Sequence, residues 1–215
     1  MSDLSSTPRT ALRRHRERGR ADRDDLYAVL DAGRICHLGV ITDGVPRVLP
    51  TGYGRLGDTV YLHGSSANAT IMAGAGQQVC VTVTHLDGLV CARSVFNHSM
   101  NYRSAMIFGV ARLLTEPDEQ ILALRTITEH LTPGQWSYVR QPTPKELAAT
   151  SVLALPLTEA SVKIRASGPS DEPEDQAADV WAGVVPVTMR FGAPEPDAAL
   201  RPGITTPEHI RRYQG

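Results

Sequence analysis

The chain has 215 residues, of which 41% are hydrophobic and 21% charged, and its net charge is −1. Such a chain can bury a substantial core, and its near neutrality removes the broad positive field that would recruit nucleic acid or an anionic membrane. No apolar run approaches the roughly 20 residues of a membrane span, and the N-terminus lacks an apolar signal core, so a cytoplasmic protein is expected.

Residues 1–21 carry Arg9, Arg13, Arg14, Arg16, Arg18 and Arg20 with few apolar partners. They read as an extended arm on the surface or on a partner subunit. Asp22 or Asp24 can cap a helix through Leu26, Val29 and Leu30 that stops at Gly33. The period then changes. Residues 34–42 form a strand, Asp43-Gly44 is a hairpin signal, and 45–53 is the return strand, where Pro46 and Pro50 exclude a fully paired central position. A turn at Leu56-Gly57-Asp58 leads to a strand over Thr59–His63, and a short helix follows over Ala67–Ala73.

Residues 78–86 alternate, and Asp87-Gly88 predicts a second hairpin into 89–96. Residues 102–114 read as another strand, and Glu116–Leu131 has helical periodicity closed by Pro133-Gly134. Strands at 151–157 and 160–166 come next, then an acidic, proline-containing loop and one apolar island, Val180–Val187. Consecutive hairpins with inserted helices predict a closed antiparallel α+β barrel rather than a doubly wound sheet. The divisions are an arm (1–21), a barrel domain (22–167) and a C-terminal extension (168–215).

Dinucleotide-fold, Walker, G-x-S-x-G and H-E-x-x-H patterns are all absent. Cys36, Cys80 and Cys91 are odd in number and lack metal-ligand spacing, so free thiols are expected and no metal site is. Two polar clusters carry the chemical signal. At His63-Gly64-Ser65-Ser66-Ala67-Asn68 a strand meets a helix N-terminus, a place suited to a phosphate, although serine and asparagine are also ordinary helix caps. Phe96–Ser104 packs His98, Asn101, Tyr102, Arg103 and Ser104 between two apolar strands. Arg103 is the best candidate for a phosphate fork, and His98 and Tyr102 are the candidates for proton delivery. Trp181 reads as a lid over a flat ring or as a core anchor for the tail.

These residues resemble the flavin-nucleotide-binding branch of the pyridoxamine 5'-phosphate oxidase-like superfamily, which includes nitroimidazole-resistance proteins. The resemblance lies in Asp24–Cys36, in Pro46–Tyr53 with the following Gly57-Asp58 and Tyr61–Ser65, in Ser94–Gly109, and in Trp181–Pro186. It implies a six-stranded split barrel, FMN-binding and homodimeric, with FMN where the subunits meet. By analogy His63, Ser65, Ser66 and Asn68 meet the phosphate from one side, and Arg103 and Ser104 with Asn101 from the other. Pro50, Thr51, Gly52 and Tyr53 border the ring, and Trp181 lies over it. Related members often carry a lysine near position 70, where this chain has Thr70 and Met72.

The function implied is FMN-dependent oxidation or reduction of a small-molecule substrate. The alternatives are a deazaflavin cofactor, or a non-catalytic flavin-, drug- or haem-binding protein with His37, His63, His85 or His98 as axial ligand.

Overall fold

The structure is a computed structural model that describes residue 4 and residues 7–214. Five residues of the predicted arm (1–3, 5 and 6) therefore lie outside the described residues. A short strand, β1 (Gly19–Arg20), precedes helix α1 (Arg23–Ala32). The carboxylate of Asp22 caps α1 by accepting from the Asp24 amide, while Leu26, Val29 and Leu30 are buried.

Strands β2 (Ile35–Thr42) and β3 (Val45–Leu56) follow, then β4 (Thr59–Ser65), helix α2 (Ala69–Gly74), β5 (Gln78–Cys91), β6 (Ser99–Val110) and the two-residue β7 (Arg112–Leu113). Helices α3 (Pro117–Leu131), α4 (Gln135–Tyr138) and α5 (Pro144–Ala148) lead to β8 (Thr150–Pro156) and β9 (Glu159–Arg165). The tail adds β10 (Gly183–Pro186) and α6 (Glu208–Arg211).

All strand pairs are antiparallel, in the order β1-β9-β6-β5-β2-β3-β4-β8-β7, with β10 also on β5. The α+β split-barrel class expected from sequence holds, but the sheet has ten strands where six were expected. The excess comes mainly from short edge pieces: β1 and β7 have two residues each and β10 has four.

The split is visible in β3. Its first part, Val45–Gly52, pairs with β2, whereas Tyr53–Leu56 pairs with β4. Pro46 and Pro50 fall in the first part, where a missing N–H is tolerated on the side not facing β2. The Asp43-Gly44 turn has φ of 53° and 76°, the left-handed pair a tight hairpin demands.

The second predicted hairpin is absent. Strand β5 runs through Asp87-Gly88 and pairs with β6 on both sides, absorbing the irregularity as a register shift between Leu86 and Gly88. Gly88 serves close approach instead, because a Cβ there would lie 3.0 Å from a Val184 methyl and 3.2 Å from the Val185 carbonyl of β10. The same dipeptide thus admits a neighbouring strand rather than a turn.

Alternation along the strands builds the core. Cys36, Leu38 and Val40 of β2 point inward with Val81 and Val83 of β5 and Ala105 and Ile107 of β6, and α1 packs against the same cluster. A smaller cluster of Leu114, Ala123, Val152 and Ala154 lies beneath α3. The outward face of β2, β3 and β6 keeps Ile35, Ile41, Val45, Val48 and Met106 exposed.

The arm is tied to its own barrel: β1 pairs with β9, and Arg9 forms an ion pair with Glu159. The tail is held by Asp171 on Arg93 and by the Tyr213 hydroxyl donating to the Leu131 carbonyl. Among the described residues, no helix is long and apolar enough to cross a membrane.

Candidate functional site

The first polar cluster forms at the end of β4. His63 and Ser65 stand opposite Val152 and Thr150 of β8, so the cluster gains Thr150 and Ser151 as neighbours. The Ser66 amide donates to the Ala149 carbonyl at 2.9 Å, which fixes the loop against the start of β8. Asn68 behaves as a helix cap: its Oδ1 accepts from the Thr70 and Ile71 amides of α2 at 3.0 and 3.2 Å. Ser65 Oγ accepts from the Ala67 amide at 3.2 Å. The turn at the strand end is therefore preorganised by its own side chains, and Ser66 keeps an exposed hydroxyl.

His63 differs from its neighbours. Its Nδ1 is buried without a hydrogen-bond partner, and burial holds its pKa below the ordinary histidine value, so the ring is neutral at pH 7. An unpaired polar atom at such a place is costly unless a ligand or water completes it.

The second cluster divides between the two faces of β6. Asn101 and Arg103 share a face with inward-pointing Ala105, while Tyr102 and Ser104 lie on the opposite face with Met106. Side chains at Arg103 and Ser104 thus do not converge on one phosphate within a protomer. Asn101 is turned inward, its Oδ1 accepting from Arg165 and from the Ser167 amide; its role here is to lock the end of β6 to β9.

Arg103 makes a two-pronged pair with Asp87, with Nε and Nη2 donating at 3.0 and 2.9 Å. The pair lines a cleft of about 440 Å3 with Ala32, His85, Val187 and Met189. The guanidinium fork of Arg103 thus holds a carboxylate of the same chain. With β5, β2 and β3 between them in the sheet, β4 and β6 present the two clusters on separate strands.

Pro50, Thr51 and Gly52 lie on β3 opposite His37, Cys36 and Ile35. Tyr53 departs from its expected place beside a ring: its side chain is fully buried, and its hydroxyl donates to the Leu30 carbonyl. That burial also drives the Tyr53 hydroxyl pKa upward. Trp181 is 68% exposed, with its indole folded toward Gly183 rather than over a cleft. Cys36 is buried in the core, and that environment pushes its thiol pKa up to about 12, so it is no nucleophile at neutral pH.

The histidines sort by the nitrogen they use. His85 and His130 both engage a backbone carbonyl through Nε2, those of Val29 and Gly33, at 2.9 and 2.7 Å. His98 does the reverse, with Nδ1 at 2.9 Å from the Ser94 carbonyl. Sequence alone could not show this difference, because it depends on how each ring is seated.

A family model described as pyridoxamine 5'-phosphate oxidase matches residues 22–164. The chain is similar to the flavocytochrome Anf3 from Azotobacter vinelandii, with 40% identity and a TM-score of 0.93 over 98% of this chain and 99% of that one. It is also similar to an FAD- and haem-binding protein from Mycobacterium smegmatis, with 37% identity and a TM-score of 0.88 over 92% and 98% of the two chains. A protein from Bacteroides thetaiotaomicron assigned to 5-nitroimidazole antibiotic resistance shares the fold, at 22% identity and a TM-score of 0.58, over 68% and 86% of the two chains. A comparison with curated proteins gives no match. The matched barrel and the two near-full-length likenesses place this chain in the pyridoxamine 5'-phosphate oxidase family.

Proposed function

We propose that this protein is a homodimeric redox protein that binds a flavin and a haem and exchanges electrons with a small molecule. The observation that carries this reading is the 40% identity to a flavocytochrome over 98% of this chain. That likeness reaches beyond the barrel matched at residues 22–164 into both the arm and the tail. The flavin of the proposal is FAD, the ligand named for the Mycobacterium smegmatis protein. FMN, expected from sequence, has the same ring and the same first phosphate, so it makes the same demands on the polar rim.

The residues present fit a flavin. Among the described residues His63 has a buried nitrogen without a partner, and Ser65 and Ser66 supply hydroxyls at the same rim, where the Thr150 hydroxyl donates to the Glu146 carbonyl. Arg103 supplies the cation, with Asp87 keeping the guanidinium aligned in the meantime. The separation of the two clusters within one protomer favours a site completed by a second copy, as does the exposed apolar face of Ile35, Ile41, Val45 and Val48.

Bound flavin supplies the hydride and one-electron chemistry. The chain's own work is to grip the phosphate, to hold neutral His63 beside the ligand, and to exclude water with the second subunit. In this reading Tyr102, on the outer face of β6, is the candidate hydroxyl for proton delivery to the substrate.

The test is the absorption spectrum of protein purified from cells, together with the mass of the flavin released by acid and the molar mass in solution. Flavin bands, a haem Soret band and a dimeric mass are expected. A colourless monomer that takes up neither added FAD or FMN nor hemin would sink the proposal.

A further inference from the structure

We propose that His98 is an axial ligand of the haem, through Nε2; the inference rests on the flavin-and-haem reading above. Four histidines were open as ligands from sequence, and their surroundings now separate them. A backbone carbonyl can only accept a hydrogen bond, so the His98–Ser94 contact of 2.9 Å puts the proton of the neutral ring on Nδ1. Nε2 is then a lone pair on an exposed side chain, with no partner among the described residues. Metal-bound histidines have this arrangement as a rule: the far nitrogen donates to a carbonyl or carboxylate, which fixes the tautomer and aims the ring.

None of the other three offers a free Nε2 with its tautomer set in this way. His85 is locked the opposite way, since its Nε2 faces the Val29 carbonyl at 2.9 Å. His63 has a buried Nδ1 with nothing to hold its proton. His37 is exposed, and no hydrogen bond among the described residues sets its tautomer.

The ground around His98 suits a flat apolar ring system. Val95 and Phe96, on the 3-10 turn just before it, are 91% and 90% exposed. Two residues beyond, Met100 stands opposite Leu89, and Leu89 stands opposite Val185 of β10; all three are exposed. A phenylalanine so uncovered beside a tautomer-locked histidine is explained by a ligand that takes metal coordination from one and an apolar face from the other.

The experiment titrates hemin into the full-length protein and into His98→Ala and His37→Ala, following the Soret band and the spin state by electron paramagnetic resonance. His98→Ala is expected to lose the wild-type spin-state signature and to bind hemin at least about 10–100-fold more weakly, the range that loss of a mere outer-shell partner already gives. Added imidazole restores the signature in that variant. His37→Ala keeps it. Because His98 is exposed, its replacement leaves the melting temperature unchanged, which separates ligation from folding. A His98→Ala variant that titrates like the wild type overturns the assignment while leaving the haem reading intact. Wild-type protein that binds no hemin overturns both, and a Phe96→Asp variant that dissociates the dimer without changing hemin affinity gives the patch to the subunit interface and overturns the assignment too.

Discussion

Gly54 is the position where the packing of helix on sheet can be tested most sharply. A Cβ at this residue would lie 2.7 Å from the Ile127 nitrogen, from its Cα and from the Thr126 carbonyl carbon. Carbon–carbon contacts are optimal at about 3.5–4.0 Å, so α3 would have to withdraw by about 1 Å. The obstacle is backbone on a helix whose Ala123 and Ile127 are buried, so no rotamer change relieves it. Overpacking of this kind costs about 3 kcal/mol at the upper end of its usual range. Removing a glycine from the unfolded chain returns up to about 1 kcal/mol. The net expectation for Gly54→Ala is a loss of about 2 kcal/mol, or a Tm lowered by about 4–8 °C for a chain of this size. The same helix seats Leu131 against Gly52, where a Cβ would come within 3.0 Å of a Leu131 methyl, so the displacement reaches β3 beside the proposed site and flavin content should fall with stability. Thermal unfolding beside a Gly192→Ala control is the assay, since nothing lies within 4 Å of a Cβ at Gly192. A Gly54→Ala protein as stable as the wild type would refute the tight seating of α3 on β3.

Tyr53→Phe removes the hydroxyl that donates to the Leu30 carbonyl, and should cost about 1 kcal/mol in urea unfolding, with no larger loss because Leu30 still accepts from the Gly33 amide. An unchanged midpoint would show that the buried hydroxyl contributes nothing. If Arg103 grips the flavin phosphate, Asp87 competes with it: Asp87→Asn should tighten flavin binding by up to about fivefold, the worth of a partly exposed ion pair, while Arg103→Ala weakens it. Equal affinities in both variants by fluorescence titration would remove Arg103 from the site. His63 and His130 have pKa values held below 6.5 by burial. As pH falls below 6.5 the unfolded chain takes up protons that the native rings refuse, so stability declines until the lowered native values are reached. Urea midpoints at pH 7.5 and 5.5 measure this, and a His63→Gln, His130→Gln double variant should flatten the slope; a slope unaltered by the replacements would contradict the burial argument.

Much of the barrel could be read from the chain because local signals agreed with long-range pairing. Asp22, the 26/29/30 spacing and Gly33 state α1 completely, and Asp43-Gly44 encodes a turn that the ladder between β2 and β3 reinforces. Asp87-Gly88 is the instructive contrast. The residues are the same, but β6 continues past them on one side and β10 arrives on the other, so sheet pairing decides against the turn. Strand β10 itself was hidden inside an apolar island too short to show a period, and α4 is a single turn with no cap of its own, its Trp136 amide donating to Glu129 of α3. These are elements whose existence depends on a partner surface, which no window of sequence contains.

The site was legible as chemistry and not as geometry. Period-2 alternation puts the side chains of Arg103 and Ser104 on opposite faces of β6, so within one chain they do not converge on a single point. Asn101 and Asn68 show how a polar residue can be claimed by the fold: one carries Arg165 and the end of β9, the other caps α2. Among the described residues, the groups the fold leaves unsatisfied near the two clusters include the buried nitrogen of His63, the buried side-chain amide nitrogen of Asn97, the exposed hydroxyl of Ser66, and the lone pair of His98 beside uncovered Phe96. Sequence counts donors and acceptors without knowing which the fold has already used. Subtracting those leaves a protomer that carries its two polar clusters on separate strands, and that is the physical reason to look for the working site between two copies of the chain.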